Sequence, residues 1–153
     1  LATRIGAPLA IVDKRREKAG EVAGMTVIGD VTGQKCIIVD DICDTAGTLC
    51  KAADVLMEAG ATEVHAYTTH GVLSGPAIER LSGSVLKSLV TTDTIEATAA
   101  TKACSRVRVV PTAPMFAQAI VNIWNGTSVS SLFDTASLVP IYEGLYPKGM
   151  WGR

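Results

Sequence analysis

Short Val- and Ile-rich runs recur along the chain, and the stretches between them bring apolar residues back every three or four positions. The runs start at Pro8 ("PLAIVD"), Lys35 ("KCIIVDD"), Glu63 ("EVHAYTTH"), Ser88 ("SLVTTDT") and Arg106 ("RVRVVPT"). Continuous apolar strands alternating with helical periods predict a parallel sheet buried on both faces, an α/β fold with a doubly wound, mostly parallel sheet. In "AGTLCKAADVLMEAGA", Leu49, Ala53, Leu56 and Met57 share one helical face and Gly60 supplies a stop, as in an amphipathic crossover helix. "GPAIERLSG" places Pro76 in a first turn, and "APMFAQAIVNIWNG" runs from Ala113 to Gly126; both read as further helices.

Two stretches break the pattern. Residues 14–34, "KRREKAGEVAGMTVIGDVTGQ", mix charges with small residues and hold no sustained period, which predicts a charged mobile loop or ribbon with room for a short hairpin. The end of the chain, "DTASLVPIYEGLYPKGMWGR", is broken by prolines and glycines and reads as a tail laid over the surface, so residues 1–134 form the expected domain and 135–153 a C-terminal tail.

Composition narrows the classes. With 153 residues, 48% hydrophobic and 19% charged, and a net charge of -1, the chain suits one buried-sheet domain and presents no basic field for nucleic acid. Cys36, Cys43, Cys50 and Cys104 are too few and scattered for a secreted disulfide framework, which points to a reducing, cytoplasmic setting. The seven-residue spacing of the first three would spread them over a strand, a loop and a helix, a poor zinc site. No apolar run within these residues approaches a membrane span, and none reads as a charged-then-apolar leader. The opening "LATRIG" looks like the end of a helix already under way, so the chain is expected to be a piece of a longer protein.

The chemistry concentrates in "CIIVDDICDTAGTL", Cys36 to Leu49. In an open α/β sheet ligands sit at the carboxyl ends of the strands, where helix N-termini aim free N–H groups. Thr45, Ala46, Gly47 and Thr48 are small, carry hydroxyls and open a helix whose dipole favours an anion, so a phosphate suits the turn. Asp40, Asp41 and Asp44 would repel that phosphate unless they face something else. A ligand with two ends resolves the conflict: phosphate on the turn, hydroxyls or a magnesium ion at the acids. Strand side chains alternate, so Asp40 and Asp41 cannot both hold the hydroxyls, and a carboxylate reading a vicinal diol indicates a ribose phosphate. A lone acid there would read as a solvated strand end; three acids followed by Thr-x-Gly-Thr weigh the other way. "GDVTGQK" from Gly29 mimics a P-loop, but its glycine spacing is one residue short and it precedes a strand where a P-loop must follow one.

"VDDICDTAGT" resembles the ribose-phosphate loop of the type I phosphoribosyltransferase fold. Taken with "AIVDKRR" ahead of "VIGDVTGQ", "THGVLSGPAIERL" from Thr69 and "AQAIVNIWNGTSVSSLF" from Ala117, it resembles the ribose-phosphate pyrophosphokinase family over about residues 1–134. The resemblance implies transfer of pyrophosphate from ATP to ribose 5-phosphate, with magnesium, giving phosphoribosyl pyrophosphate and AMP. It implies Lys14 and Arg16 as the cations on the loop that stabilise the transition state. It assigns Asp40 to the ribose hydroxyls and Asp44, Thr45, Ala46, Gly47 and Thr48 to the 5-phosphate, and leaves Asp41 in the same ribose 5-phosphate site for a magnesium-bound water or an indirect hydrogen bond. Ser128, Ser130 and Phe133 would help form an allosteric phosphate pocket at a subunit contact, which implies a homo-oligomer. No residue of the chain is assigned as a metal ligand, and His65 and His70 read as strand residues.

The family's upstream half, with most adenine-binding residues and a pyrophosphate loop, is not in these residues, so the chain alone is expected to show little turnover. Gly20 replaces a usual asparagine, Thr112 a common serine, and "VNIW" stands where two arginines are frequent. Two other classes share parts of the pattern. A phosphoribosyltransferase would carry the loop without "SGPAIERL" and "SVSSLF", and a non-catalytic synthetase-associated homologue would lose or insert residues around Lys14 and Arg16.

Overall fold

The structure, a computed structural model, describes residues 2–18 and 21–143, with side chains throughout except at 14–18 and 21–23. It divides into two units, residues 1–110 and 111–153.

In the first unit, helix α1 (Ala2–Ile5) ends at Gly6, whose φ of 64° supplies the left-handed stop a side chain resists. Strands β1 (Ile11–Lys18) and β2 (Glu21–Ile28) then pair antiparallel, Ile11 opposite Ile28, with irregularities at Arg15/Arg16 and Arg16/Lys18. The run from Pro8 therefore belongs to a two-stranded ribbon and not to the parallel sheet. The physical reason is connection length: two residues can join antiparallel strands, whereas parallel neighbours need a crossover of about a dozen. Within residues 14–34 the ribbon reading holds for the backbone of both strands.

The other four runs form the parallel sheet. Its strands are β3 (Lys35–Cys43), β4 (Glu63–Gly71), β5 (Ser88–Thr92) and β6 (Val107–Val110), in the spatial order β3-β4-β5-β6. The crossovers are α2 (Gly47–Glu58), α3 (Ala77–Gly83) and α4 (Ala99–Ala103). Helix α2 buries Leu49, Ala52, Ala53 and Leu56, the stripe its period implies, and Gly60, at φ 97°, follows its last turn. The core joins this stripe to Val64, Ala66 and Leu89 on the strands and to Ala77 and Leu81 on α3. Ala53, Ala66 and Ala77 are fully buried, and small side chains there let helix and sheet backbones approach closely. One Arg106 nitrogen donates to the carbonyls of Leu81, Ser84 and Leu86 at 2.7–3.0 Å, tying the end of α3 to the start of β5. On the far face of the sheet Ile37, Val39 and Tyr67 remain about half exposed.

The second unit holds α5 (Ala113–Trp124), a 3-10 turn at Ser130–Phe133 and α6 (Thr135–Glu143). Pro114 stands in the first turn of α5 and Gly126, at φ 64°, follows its end. The expected surface tail is helical over Thr135–Glu143 despite Pro140 inside it. Ser137 and Leu138 start that helix by donating to Asp134, and the Tyr142 hydroxyl donates to the Pro111 carbonyl at 3.0 Å. Residues 144–153 lie outside the described residues.

Candidate functional site

The alternation along β3 decides where its acids point. Cys36 and Ile38 pack toward the core, so Asp40 shares their side and Asp41 projects to the other. Asp40 Oδ1 accepts the Asp41 N–H at 3.0 Å, which fixes the carboxylate against its own backbone. Asp40, Ile38, Thr48, Leu49 and Ala52 help line a cavity of about 640 Å³ running along β3. Asp40 and the first turn of α2 thus share one cavity wall.

The turn after β3 opens helix α2. Ala46 adopts φ 59°, ψ 1°, is buried, and caps α2 without a side chain able to accept from the first N–H groups. The unsatisfied donors of that turn, with the helix dipole behind them, favour a negative group. Gly47 leaves the approach open: a Cβ there would stand 3.3 Å from Arg80 Nη1.

The segment following β4 clamps this turn. The Leu73 and Ser74 N–H groups donate to the Cys43 and Asp44 carbonyls, both at 3.1 Å. The Ser74 hydroxyl donates to the Asp44 carboxylate, and Arg80 Nη1 to the Thr45 carbonyl at 2.9 Å. Leu73 holds φ 50° to make the approach, a conformation that a non-glycine residue resists. One oxygen of the Asp44 carboxylate is thereby engaged by Ser74. Reading the residues alone assigned Ser74 and Arg80 no role, although both stand in the quoted stretch "THGVLSGPAIERL"; their contact with the turn spans 30 and 35 positions of sequence.

The floor of the turn stays neutral. Burial pushes the Cys43 thiol up to about 11, and burial also raises Cys50. Cys43 ends β3 instead of standing in a loop, and all four cysteines are free. Among the described residues no group of three His, Cys, Asp or Glu side chains could hold a metal ion. His65 bonds Ser88 and Glu63, and His70 bonds Thr94, as strand residues cross-linking neighbours. Glu63 is held below its ordinary value by hydrogen bonds from Lys35 and then His65. In "GDVTGQK" the Thr32 N–H donates to Asp30 at 2.9 Å, a turn that leads into β3.

The structure therefore sets Asp40 and Thr48 on one cavity, places Ala46 and Gly47 at the start of the helix that carries Thr48, turns Asp41 to the opposite face and engages Asp44 in the clamp. Lys14 and Arg16 lie on the backbone of β1, their side chains outside the described residues. Ser128, Ser130 and Phe133 belong to the second unit: the Ser128 carbonyl accepts from Asn122 and Ser131, and Phe133 is exposed. Among the described residues no helix is long and apolar enough to cross a membrane.

Comparison with known proteins shows the family. The model of the Phosphoribosyl synthetase-associated domain matches residues 10–134. A ribose-phosphate pyrophosphokinase of Cereibacter sphaeroides is 73% identical over 149 residues, covering 97% of this chain and 44% of that protein. One of Rhizobium meliloti is 52% identical over 134 residues, covering 88% and 43%. The crystal structure of phosphoribosylpyrophosphate synthetase from Mycobacterium smegmatis matches with a TM-score of 0.72 and 36% identity, over 82% of this chain and 40% of that one. The chain spans less than half the length of each of these relatives.

Proposed function

The chain belongs to the phosphoribosyl synthetase-associated domain family, and we propose that it is the acceptor-sugar part of a ribose-phosphate pyrophosphokinase. The observation that carries the reading is the shared cavity wall of Asp40 and Thr48: a carboxylate for vicinal hydroxyls beside a helix N-terminus open to a phosphate. On this reading Ala46, Gly47 and Thr48, with Thr45, take the 5-phosphate of ribose 5-phosphate by N–H and hydroxyl groups. Asp40 takes the ribose hydroxyls. Asp44 holds the turn through Ser74, and Asp41, on the other face, hydrogen-bonds water away from the sugar.

The proposed reaction joins the anomeric hydroxyl oxygen to the β-phosphorus of ATP while the α–β bridge breaks, so AMP leaves and phosphoribosyl pyrophosphate forms. Such transfers need positioning and charge neutralisation more than covalent help. Lys14 and Arg16 on β1 are proposed as the cations that do this, with ATP held largely by residues outside these 153. Magnesium suits the hard carboxylate oxygens here, and Asp40 with substrate phosphates and water would hold it, since that ion is usually bound by one or two carboxylates plus phosphates. When bound, the ion would neutralise phosphate charge. Residues 1–134 are proposed as the family domain, with 135–153 an extension. Ser128, Ser130 and Phe133 are proposed for an allosteric phosphate site at a contact between copies, in a cytoplasmic homo-oligomer.

Calorimetric titration tests the reading. The chain is expected to bind ribose 5-phosphate, and Asp40→Asn to weaken it about tenfold while leaving inorganic phosphate binding nearly unchanged, as for loss of one charge-assisted hydrogen bond. Failure of the unaltered chain to bind ribose 5-phosphate sinks the assignment. AMP production from ATP and ribose 5-phosphate by the isolated chain is expected to be near background; turnover comparable with a full-length relative would overturn the division of labour.

A further inference from the structure

Polar residues gather at the carboxyl ends of the strands. Asp40 on β3 pairs in register with Thr68 on β4, and Thr91 on β5 follows the Tyr67–Val90 pair where the β4–β5 register shifts, between Tyr67 and His70. Two residues earlier on each strand the same face carries Ile38, Ala66 and Leu89, all apolar and part of or packed against the core. Side chains in register on parallel neighbours project to one face, and the strands stand about 4.8 Å apart. Asp40 and Thr68 therefore form a polar pair on the face that is apolar two residues earlier, with the buried Thr91 past the register shift.

These three residues are not equally satisfied. Thr91 is 3% exposed and its hydroxyl donates to the Thr69 carbonyl at 3.5 Å. Asp40 has Oδ1 engaged by the Asp41 N–H and acceptor capacity left over. Thr68 is 5% exposed, and its Oγ1 has no hydrogen-bond partner among the described residues. A buried hydroxyl without a partner is costly, and a valine of the same shape would avoid that cost. The acceptor that the ladder sets beside it is the carboxylate of Asp40, the in-register residue on a strand about 4.8 Å away.

We propose that Thr68 is a positioning residue for the sugar end of the site, donating through one bridging water to the Asp40 carboxylate and so aiming its remaining oxygen at the hydroxyls of the bound sugar. The proposal rests on the sugar-phosphate reading of Asp40. It assigns Thr68 no part in phosphate binding, because the turn supplies those donors from α2. Neither Lys14 nor Arg16 enters it.

Thr68→Val removes the donor and keeps the shape; Thr68→Ser keeps the donor and loses the methyl. In the whole 153-residue chain, calorimetry is expected to show ribose 5-phosphate binding weakened roughly five- to tenfold by Thr68→Val, the loss of about one hydrogen bond. Thr68→Ser is expected to bind within about twofold of the unaltered chain, and inorganic phosphate to bind all three alike. In an Asp40→Asn background Thr68→Val is expected to add no further loss, because residues acting through one another are not additive. A second readout needs no sugar: the side-chain carboxyl carbon resonance of Asp40 is expected to move in Thr68→Val and return in Thr68→Ser. Unchanged ribose 5-phosphate affinity in Thr68→Val, multiplicative losses with Asp40→Asn, an equal loss of inorganic phosphate, or a stationary Asp40 resonance would each overturn the proposal. If the unaltered chain binds no ribose 5-phosphate, the sugar-phosphate reading falls, while the Asp40 resonance still decides whether Thr68 supports that carboxylate. Should Thr68→Val fail to fold, Thr68→Ala carries the same measurements.

Discussion

Gly71 ends β4 against the side chain of Thr91, and Gly71→Ala puts a number on how tightly the carboxyl ends of the strands are packed. A Cβ at this position would stand 2.7 Å from Thr91 Oγ1, 2.9 Å from Cγ2 and 3.1 Å from Cβ. Non-bonded carbons settle about 3.5–4.0 Å apart. Rotation of Thr91 does not relieve the contact, because its own Cβ is among the clashing atoms and a β-branched side chain is stiff at χ1. The backbones of β4 and β5 must separate, an overpacking cost of about 1–3 kcal/mol. Against this, alanine gains about 0.4–1 kcal/mol by restricting the unfolded chain. The net expectation is a loss of about 1.3 kcal/mol within a span of about 0–2.6 kcal/mol, which for a unit near 100 residues lowers the melting temperature by about 5–10 °C at roughly 4–8 °C per kcal/mol. Urea unfolding followed by circular dichroism, with calorimetric melting alongside, measures it. Gly71→Ala made on Thr91→Ala, which removes Oγ1 and Cγ2, is expected to cost less than half of what it costs on the unaltered chain. A Gly71→Ala variant within about 0.5 kcal/mol of the unaltered chain, the usual range of an inconsequential surface change, or an undiminished cost on Thr91→Ala, would refute the packing argument.

Three further expectations concern the turn. Arg80→Ala removes the donor to the Thr45 carbonyl, and is expected to weaken inorganic phosphate binding about two- to tenfold, as for one hydrogen bond, read by calorimetric titration; unchanged affinity would show that the turn holds its shape without the clamp. Ala46→Val places a β-branched side chain at φ 59°, and is expected to lose about 2 kcal/mol or more in urea unfolding, whereas Ala46→Gly is expected within about 1 kcal/mol because relief of strain offsets the lost buried methyl. The Cys43 thiol, raised by burial from an ordinary 9.0 to about 11, makes the folded state hold its proton more tightly than the unfolded chain. Its contribution is complete below pH 9 and is lost as pH rises toward 11. Cys43→Ala is therefore expected to flatten the fall in stability across that window in urea titrations, and an unaltered slope would contradict the assignment.

The residue pattern determined the alternation of strands and helices, the face of α2 that is buried, and the small-residue turn between β3 and α2. Each follows from local rules: period, the Gly60 stop, and small residues after an apolar strand. Asp40 and Asp41 could be told apart only as alternating, because the same alternation fits either face until the core is known. Tertiary structure decided that Asp40 shares its side with Ile38 and that Asp41 does not. It also decided that the run from Pro8 pairs in a ribbon, that Thr135–Glu143 is helical despite Pro140, and that Ser74 and Arg80 hold the turn. Those facts depend on register and on contacts between residues distant in sequence. The same holds for Thr68, which in "EVHAYTTH" is an ordinary strand threonine. Only the β3–β4 register sets it beside Asp40, and only burial makes its unpartnered hydroxyl costly enough to call for a role.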